Sequence, residues 1–474
     1  MKPAVPRDPT PLGVGGREAV LGRSLADRRQ RLPFGAVLTY SLPGVGLGFL
    51  FFLTSVYLMK YATDVLLIAP GVMGTIFLAS RVWDAVSDPV VGHLSDRTES
   101  RLGRRRPWLL ASALPVGITA VMVWCPPPYL SGRGLATWMT AALFGQFTAT
   151  TMFAVPHESL GAELARDHHE RTRLFGARHV LSTFGIFLAL GAVALLVRSR
   201  APRDTALWLI AGGGALAAAL TLFAVARLRE PPEHQGRGGA RPFAAFADVL
   251  RNPHGRLLLV VFTVETIGTA TLGIVLPYVL QYVVGRADLI PQLIAVYMLP
   301  AVLFVPLWIA LSRRFGKKQL WLGSMCALTV AFMGLFFAGP GDWLYIAVLA
   351  GVAGIGGGCG AVVAPSIQAD VIDWDELRTG ERKEGAYFAV WSFVRKSAFG
   401  VTAGIAGLAL AATGFVPNAE QGPATLLAMR ALFGLFPGAC YLAGTLLFLR
   451  FRFTQAEHAA VLAALAERRT RSVK

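Results

Sequence analysis

Charge is what this sequence has least of. Asp, Glu, Lys and Arg make up 15% of the 474 residues, against roughly a quarter in soluble domains. A soluble core built from this chain would lack the polar surface to cover it. Acid is scarcer than base, with 28 Asp and Glu against 45 Lys and Arg and a formal charge of +17. Cysteine is rarer still: Cys125, Cys326, Cys359 and Cys440 lie far apart and form no CxxC, so a disulfide framework, a zinc site or a dithiol redox pair has no ligands. No basic face is interleaved with aromatic platforms, which removes nucleic acid as a partner. No nucleophile–base set is visible, so the sequence gives no ground for reading an enzyme, and it calls for no cofactor. The segment before residue 35 lacks an apolar h-region and a small-residue cleavage site, and reads as a cytoplasmic tail rather than a signal peptide.

What remains is apolar. Hydrophobic residues are 54% of the chain and the mean hydropathy is +0.54. Twelve runs are long enough to cross a bilayer: 35–60, 71–94, 107–126, 135–157, 176–197, 204–226, 257–283, 291–311, 319–338, 342–366, 384–412 and 424–449. Each approaches the roughly 20 residues that a spanning helix needs. Basic residues gather in alternate loops, in SDRTESRLGRRR, ARDHHERTR, RLREPPEHQGRGGARPF, RRFGKK and DWDELRTGERK. Arg198, Arg200 and Arg203 are the exception. The positive-inside rule then places both termini in the cytoplasm. The expected fold is all-α, a membrane protein of twelve transmembrane helices in two six-helix bundles. Its expected parts are a cytoplasmic tail (1–34), a first bundle (35–226), a central cytoplasmic linker (227–256), a second bundle (257–449) and a C-terminal tail (450–474). Two bundles with a site between them suit a transporter, and no repeated filter-like loop points to a channel. GVAGIGGGCG, at 351–360, marks a place where helices pack very closely or bend.

Ionisable residues inside such runs are costly and therefore informative. Asp84 and Asp88, in WDAVSDP, stand four residues apart on one helical face with Ser87 and Arg81 close by. Carboxylates with a hydroxyl suit a hard monovalent cation such as Na⁺, or share a proton; a salt bridge from Arg81 is the alternative. Lys60 and Asp64 read as interface anchors. Glu158 ends the fourth run, Glu265 stands alone in TVETIG, and Arg395-Lys396 interrupt the eleventh run with Asp84 as the expected mate. Tyr57, Trp83, Tyr387, Trp391 and Phe399 are rings near these charges, placed either to stack on a substrate or simply to pack.

Three stretches carry a resemblance. YLMKYATDVLLIAPGVMGTIFLASRVWDAVSDPVVG, VPHESLGAELARDHHERTRLFGAR and ADVIDWDELRTGERKEGAYFAVWSFVRKSAFG together resemble the glycoside-pentoside-hexuronide:cation symporter family, melibiose permease-like members of the major facilitator superfamily. The resemblance implies a secondary active transporter that couples Na⁺ or H⁺ to symport of a sugar or glycoside by alternating access. It implies a cation site of Asp84, Ser87, Asp88 and Thr151 with Lys396 nearby, in which Asp84 and Asp88 are the candidate Na⁺ ligands. Tyr57, Arg81, Trp83, Glu158, Glu265, Tyr387 and Trp391 are the candidate cavity residues beside it. Asp96, Arg97, Arg101 and Arg104 resemble the superfamily's gating loop. Glu163, Arg171, Arg173 and Arg178 are expected to latch onto Asp370, Asp373, Asp375 and Glu376 across the bundles.

The departures concern the solute. The two acids with which melibiose-carrying members clamp a galactoside align with Gly48 and Ala154, and their tryptophan with Glu158. A different glycoside, or an amphiphile such as a lysophospholipid, is therefore expected in place of melibiose. The remaining expectations are a monomer, with membrane lipids as partners, in the inner cell membrane.

Overall fold

The computed structural model describes residues 32–165, 168–230, 244–380 and 383–472. We number the long helices in chain order: α1 Phe34–Asp64, α2 Pro70–Arg97, α3 Arg106–Trp124, α4 Gly132–Leu164, α5 His168–Arg198, α6 Pro202–Arg227 and α7 Pro253–Val283. There follow α8, bent by 41° between Ala287–Leu303 and Val305–Ser312, then α9 Lys317–Leu335, α10 Trp343–Thr379, α11 Glu384–Ala412 and α12 Pro423–Leu449. Eight of these are long and apolar enough to cross a membrane, nine with the bent α8. The chain is an integral, multi-pass membrane protein. The others interrupt their apolar stretches with polar side chains, α2 with Asp84 and Asp88, α9 with its leading Lys317 and Lys318.

Several helices outrun the apolar runs. α2 continues through Ser95-Asp96-Arg97 and α10 through Asp373-Trp374-Asp375 to Thr379, where Gly380 at φ 78° stops it. Both were expected to be loop; a polar sequence continues a helix when its first turns are already fixed, because propagation is easy once nucleated. The central linker carries a short helix, Ala244–Arg251, and the tail a longer one, Gln455–Ser472. The tail helix opens with a capping box: Thr454 Oγ1 accepts from the Glu457 N–H (3.2 Å), and Glu457 Oε2 accepts from the Thr454 N–H (2.7 Å). The Thr454 N–H and hydroxyl, both donating to Glu457 Oε2, hold that carboxyl below its ordinary range.

Close packing comes from small residues. In GVAGIGGGCG, a Cβ on Gly354 would lie 2.1 Å from the Tyr297 carbonyl oxygen, and one on Gly358 2.5 Å from that of Ala301, so α8 and α10 touch backbone to backbone. The α1–α5 contact is of the same kind, through Gly48 and Gly185. Between the first and second halves of the chain, α2 lies along α11: a Cβ on Gly74 would meet the Ala403 carbonyl at 2.6 Å, and one on Gly407 that of Pro70 at 2.3 Å. Two π-helical turns, Leu53–Tyr57 and Ala431–Leu435, interrupt α1 and α12, and a third, Val279–Val283, ends α7.

Candidate functional site

The i,i+4 spacing on α2 brings Asp84 and Asp88 to one hydroxyl. Thr151 of α4 lies 2.8 Å from Asp88 Oδ1 and 3.4 Å from Asp84 Oδ1. Each carboxylate gives its other oxygen to a cation: Arg81 Nη1 donates to Asp84 Oδ2 at 2.9 Å, and Lys396 Nζ to Asp88 Oδ2 at 2.6 Å. Arg81 and Asp84 are buried, and the guanidinium lies 4.1 Å from the Phe147 ring centroid. The Lys396–Asp88 pair keeps 30% and 25% of its side-chain exposure. Ser87 Oγ turns back to the Asp84 carbonyl at 3.4 Å, away from the carboxylates. The expected mate of the α11 cation was Asp84; Lys396 instead meets Asp88, because Arg81, one turn before Asp84, already occupies that oxygen. Arg395 is exposed.

The remaining candidates scatter. Trp83 donates to Thr148 Oγ1 at 2.8 Å and is 39% exposed on the outer α2–α4 seam; one residue before Asp84 it points about 100° away. The Tyr387 hydroxyl accepts from Asn252 Nδ2 at 2.7 Å, and Asn252 caps α7. Trp391 packs on Tyr387 and Phe262. Thus the Tyr387–Trp391 face of α11 turns to α7, while Lys396 turns to α2. Glu158 is half exposed and pairs with Arg178 of α5 at 3.1 Å. Glu265 faces Gly444 of α12 and Met325 of α9, inside the second half rather than beside Asp84. Tyr57 lines a pocket of ≈ 590 Å³ at the α1–α2 turn, with Lys60, Tyr61 and Asp64.

Of the gating residues, Arg97 and Arg101 are exposed. Asp96 pairs with Arg105, and Arg104 and Arg105 both reach Glu163 Oε1, at 2.7 and 3.2 Å. Glu230 caps this loop, its carboxylate accepting from the backbone N–H groups of Arg104, Arg105 and Arg106 at 2.7, 2.8 and 2.6 Å. Gly103 sits at φ 98° directly under that carboxylate. Of the residues expected to latch across the bundles, several have local contacts among the described residues. Glu163 binds the α2–α3 loop, Arg173 the Leu32 carbonyl and Arg178 Glu158, while Asp370 binds Lys317 and, with Asp373, flanks His458 of the tail helix. The Arg171 side chain lies outside the described residues.

Sequence reasoning missed a cluster at the α1–α2 turn. Lys60, 3% exposed, pairs with Asp64 between the rings of Tyr278 and Tyr282, 5.4 and 5.0 Å from its ammonium. Tyr282 donates to Asp64 Oδ2 (2.8 Å), Asn418 Nδ2 to the Asp64 carbonyl (2.8 Å), and Thr63 shares a 2.9 Å bond with the Tyr278 hydroxyl. These bonds join α1 to α7 and the α11–α12 loop, closing this end between the two halves. The i,i+4 Lys–Asp spacing was the available signal. A second cavity, ≈ 250 Å³, lies deeper between α1 and the second half, lined by Phe51, Ser55, Val56, Thr269, Tyr297 and Phe399 among others, nearly all carbon.

The family model for the MFS/sugar transport protein family matches residues 39–455. The chain belongs to that family. Among curated relatives, the uncharacterized symporter YjmB of Bacillus subtilis is 26% identical over 93% of this chain and 97% of its own length. The glucuronide carrier protein homolog of Escherichia coli is 24% identical (86% and 90%), and the sodium-dependent lysophosphatidylcholine symporter 1-A of Danio rerio 25% (87% and 83%). The fold is similar to a mutant form of the nucleoside transporter NupG (TM-score 0.63, 14% identity, 87% of this chain and 99% of that one). It is also similar to the inward-open xylose transporter XylE of E. coli (TM-score 0.62, 15%, 90% and 99%). The protein is a secondary-active transporter of small organic molecules related to several sugar and glycoside symporters, and not an enzyme. Among the described residues no group of three or more His, Cys, Asp or Glu is placed to hold a metal.

Proposed function

We propose that this chain is a glycoside-pentoside-hexuronide:cation symporter, with twelve spans in two six-helix bundles and both termini cytoplasmic, carrying a glycoside with Na⁺ or H⁺. The observation that supports this is the pair Asp84–Asp88 converging on Thr151 with Lys396 on the second carboxylate. A coupling cation has a natural place there: it takes the Lys396 position on Asp88, using oxygens from both acids and Thr151, the ligand type that hard cations require. Release of Lys396 removes a polar tie between α11 and α2, so ion binding and the relation of the two halves become one equilibrium, and the linkage is reciprocal. Arg81 balances Asp84 throughout. The closed α1–α7 end and the partly exposed Lys396–Asp88 pair fit a cytoplasm-facing state. Reconstituted protein should accumulate a glycoside from a panel only under an inward Na⁺ or H⁺ gradient, and Asp84→Asn should abolish the gradient dependence. Accumulation indifferent to both ions would reject the reading.

The solute is not a galactoside held by paired acids. Gly48 packs so tightly on α5 that a Cβ would lie 2.3 Å from the Ser182 carbonyl, leaving no room for an acid there. The apolar ≈ 250 Å³ cavity favours a second reading, an amphiphile whose tail occupies it. Competition of uptake by a lysophospholipid, but not by melibiose, would select that reading.

A further inference from the structure

Resting on the symport reading, we propose that Glu265 is a second cation site of this transporter, separate from the α2 carboxylates and restricted by its chemistry to the proton. Glu265 sits thirteen residues into α7 and is 8% exposed. Its Oε1 is buried with no hydrogen-bond partner. The side chain lies under Gly444 of α12, where a Cβ would come 3.2 Å from Glu265 Cγ, and that same space is bounded by the Met325 methyl of α9. The nearest hydroxyls are engaged elsewhere. Thr269 Oγ1 donates to the Glu265 backbone carbonyl at 3.1 Å and shares a 2.7 Å bond with the Tyr441 hydroxyl. Tyr441 of α12 is the titratable neighbour, with Tyr297 of α8 and Cys440 of α12 beyond it. Among the described residues no Lys, Arg, His or second acid acts on this carboxyl from α1, α8, α9, α10, α11 or α12.

An ionised carboxylate in such surroundings would stand uncompensated in a low dielectric, at a cost of several kcal/mol. The carboxyl therefore carries its proton in this conformation. Sodium is no substitute, since a metal ion needs several converging oxygens and here only the two of one carboxyl are free. The α2 site differs on that point, with three side chains supplying oxygens. Exchange of the proton has a route. Thr269, one turn above Glu265, lines the ≈ 250 Å³ cavity between the halves, so separating the halves exposes that turn to water. The step is a simple protonation: the proton leaves Oε for water when the halves part and returns before they close.

The experiment uses purified full-length protein in liposomes, at fixed Na⁺, with no solute. Infrared difference spectra between neutral and alkaline pH should contain a protonated-carboxyl C=O band that Glu265→Gln removes and Glu265→Asp shifts. In parallel, accessibility of a single cysteine at the α1–α2 turn reports opening of that end. In the wild type the open-to-closed ratio should rise by up to ~tenfold per pH unit, the limit for one linked proton; in Glu265→Gln it should be flat. A wild type without the band, or a Glu265→Gln profile matching the wild type, overturns the proposal and leaves Glu265 a permanently neutral packing residue. Neither readout depends on Asp84, so a chain that fails to couple Na⁺ to solute would still return the Glu265 band.

Discussion

Asp84 and Asp88 are neighbours on one face but differ in what their loss leaves behind. Asp84→Asn strands Arg81, which is buried and, among the described residues, paired with no other carboxylate, and removing one partner of a buried pair costs about 3–5 kcal/mol. The variant should lose cation-driven uptake and also unfold at lower temperature; Arg81→Met in the same chain should recover much of the stability and none of the coupling. A thermal melt beside an uptake assay separates the two effects. Lys396→Met leaves Asp88 a quarter exposed rather than sealed in the core, so stability should change by less than ~1 kcal/mol. Na⁺ should then protect the variant against melting more strongly than it protects the wild type, since nothing competes for Asp88. Equal or weaker protection would remove Lys396 from the ion's path. The two acids and the Arg395-Lys396 pair stood out because charge inside an apolar run is rare and a helix fixes which residues share a face; Thr151, and Lys396 beside the acids, came from the resemblance to the symporter family instead. Trp83, Tyr387 and Trp391 misled because nearness in sequence says nothing about rotation: Trp83 is one residue off the acidic face, and the two α11 rings point toward α7.

At the level of elements, the sequence revealed which segments are helical better than where they end or what they touch. Polar continuations of α2 and α10 carried no apolar signal, and Asn418 sits in a loop at φ 55° with nothing local to announce its bonds to Asp64 and Tyr282. Those bonds make the α1–α7 contact a gate of polar groups. Tyr282→Phe removes one donor from Asp64 and one acceptor from Asn418, a loss of about 1–3 kcal/mol. Labelling of a cysteine at the α1–α2 turn should become several-fold faster, with little change at the opposite end. Unchanged labelling would mean that the apolar contacts alone hold this end shut. The α2–α3 loop should behave differently. Glu230→Ala strips an acceptor from three backbone donors at the start of α3, and should lower stability by about 1–3 kcal/mol without altering which end is open.

For the whole molecule, orientation is the property that charge alternation proposes and packing alone does not decide. In a cysteine-free background, a cysteine replacing Tyr129, 81% exposed between α3 and α4, should react with an impermeant reagent in intact cells. One replacing the exposed Glu99 in the α2–α3 loop should react only after the membrane is opened. The reverse pattern would invert the topology.

The bare contact between α2 and α11 bears on how such a machine turns. Where Gly74 and Gly407 meet the opposing carbonyls the two helices touch through backbone, and further along the seam Leu78 and Arg81 lie over Gly404 and Gly400, so few bulky groups must pass one another as one rod tilts over the other. Smooth rods make an axle. This crossing then serves as the fulcrum of rocking, while the cost of each swing is concentrated in the polar joints at its two ends, Asp64 with Tyr282 and Asp88 with Lys396. A single Ala403→Leu, placing a branched side chain where α2 now rests on backbone, would act as a chock. It should slow exchange between the two orientations in both directions while leaving Na⁺ affinity near that of the parent.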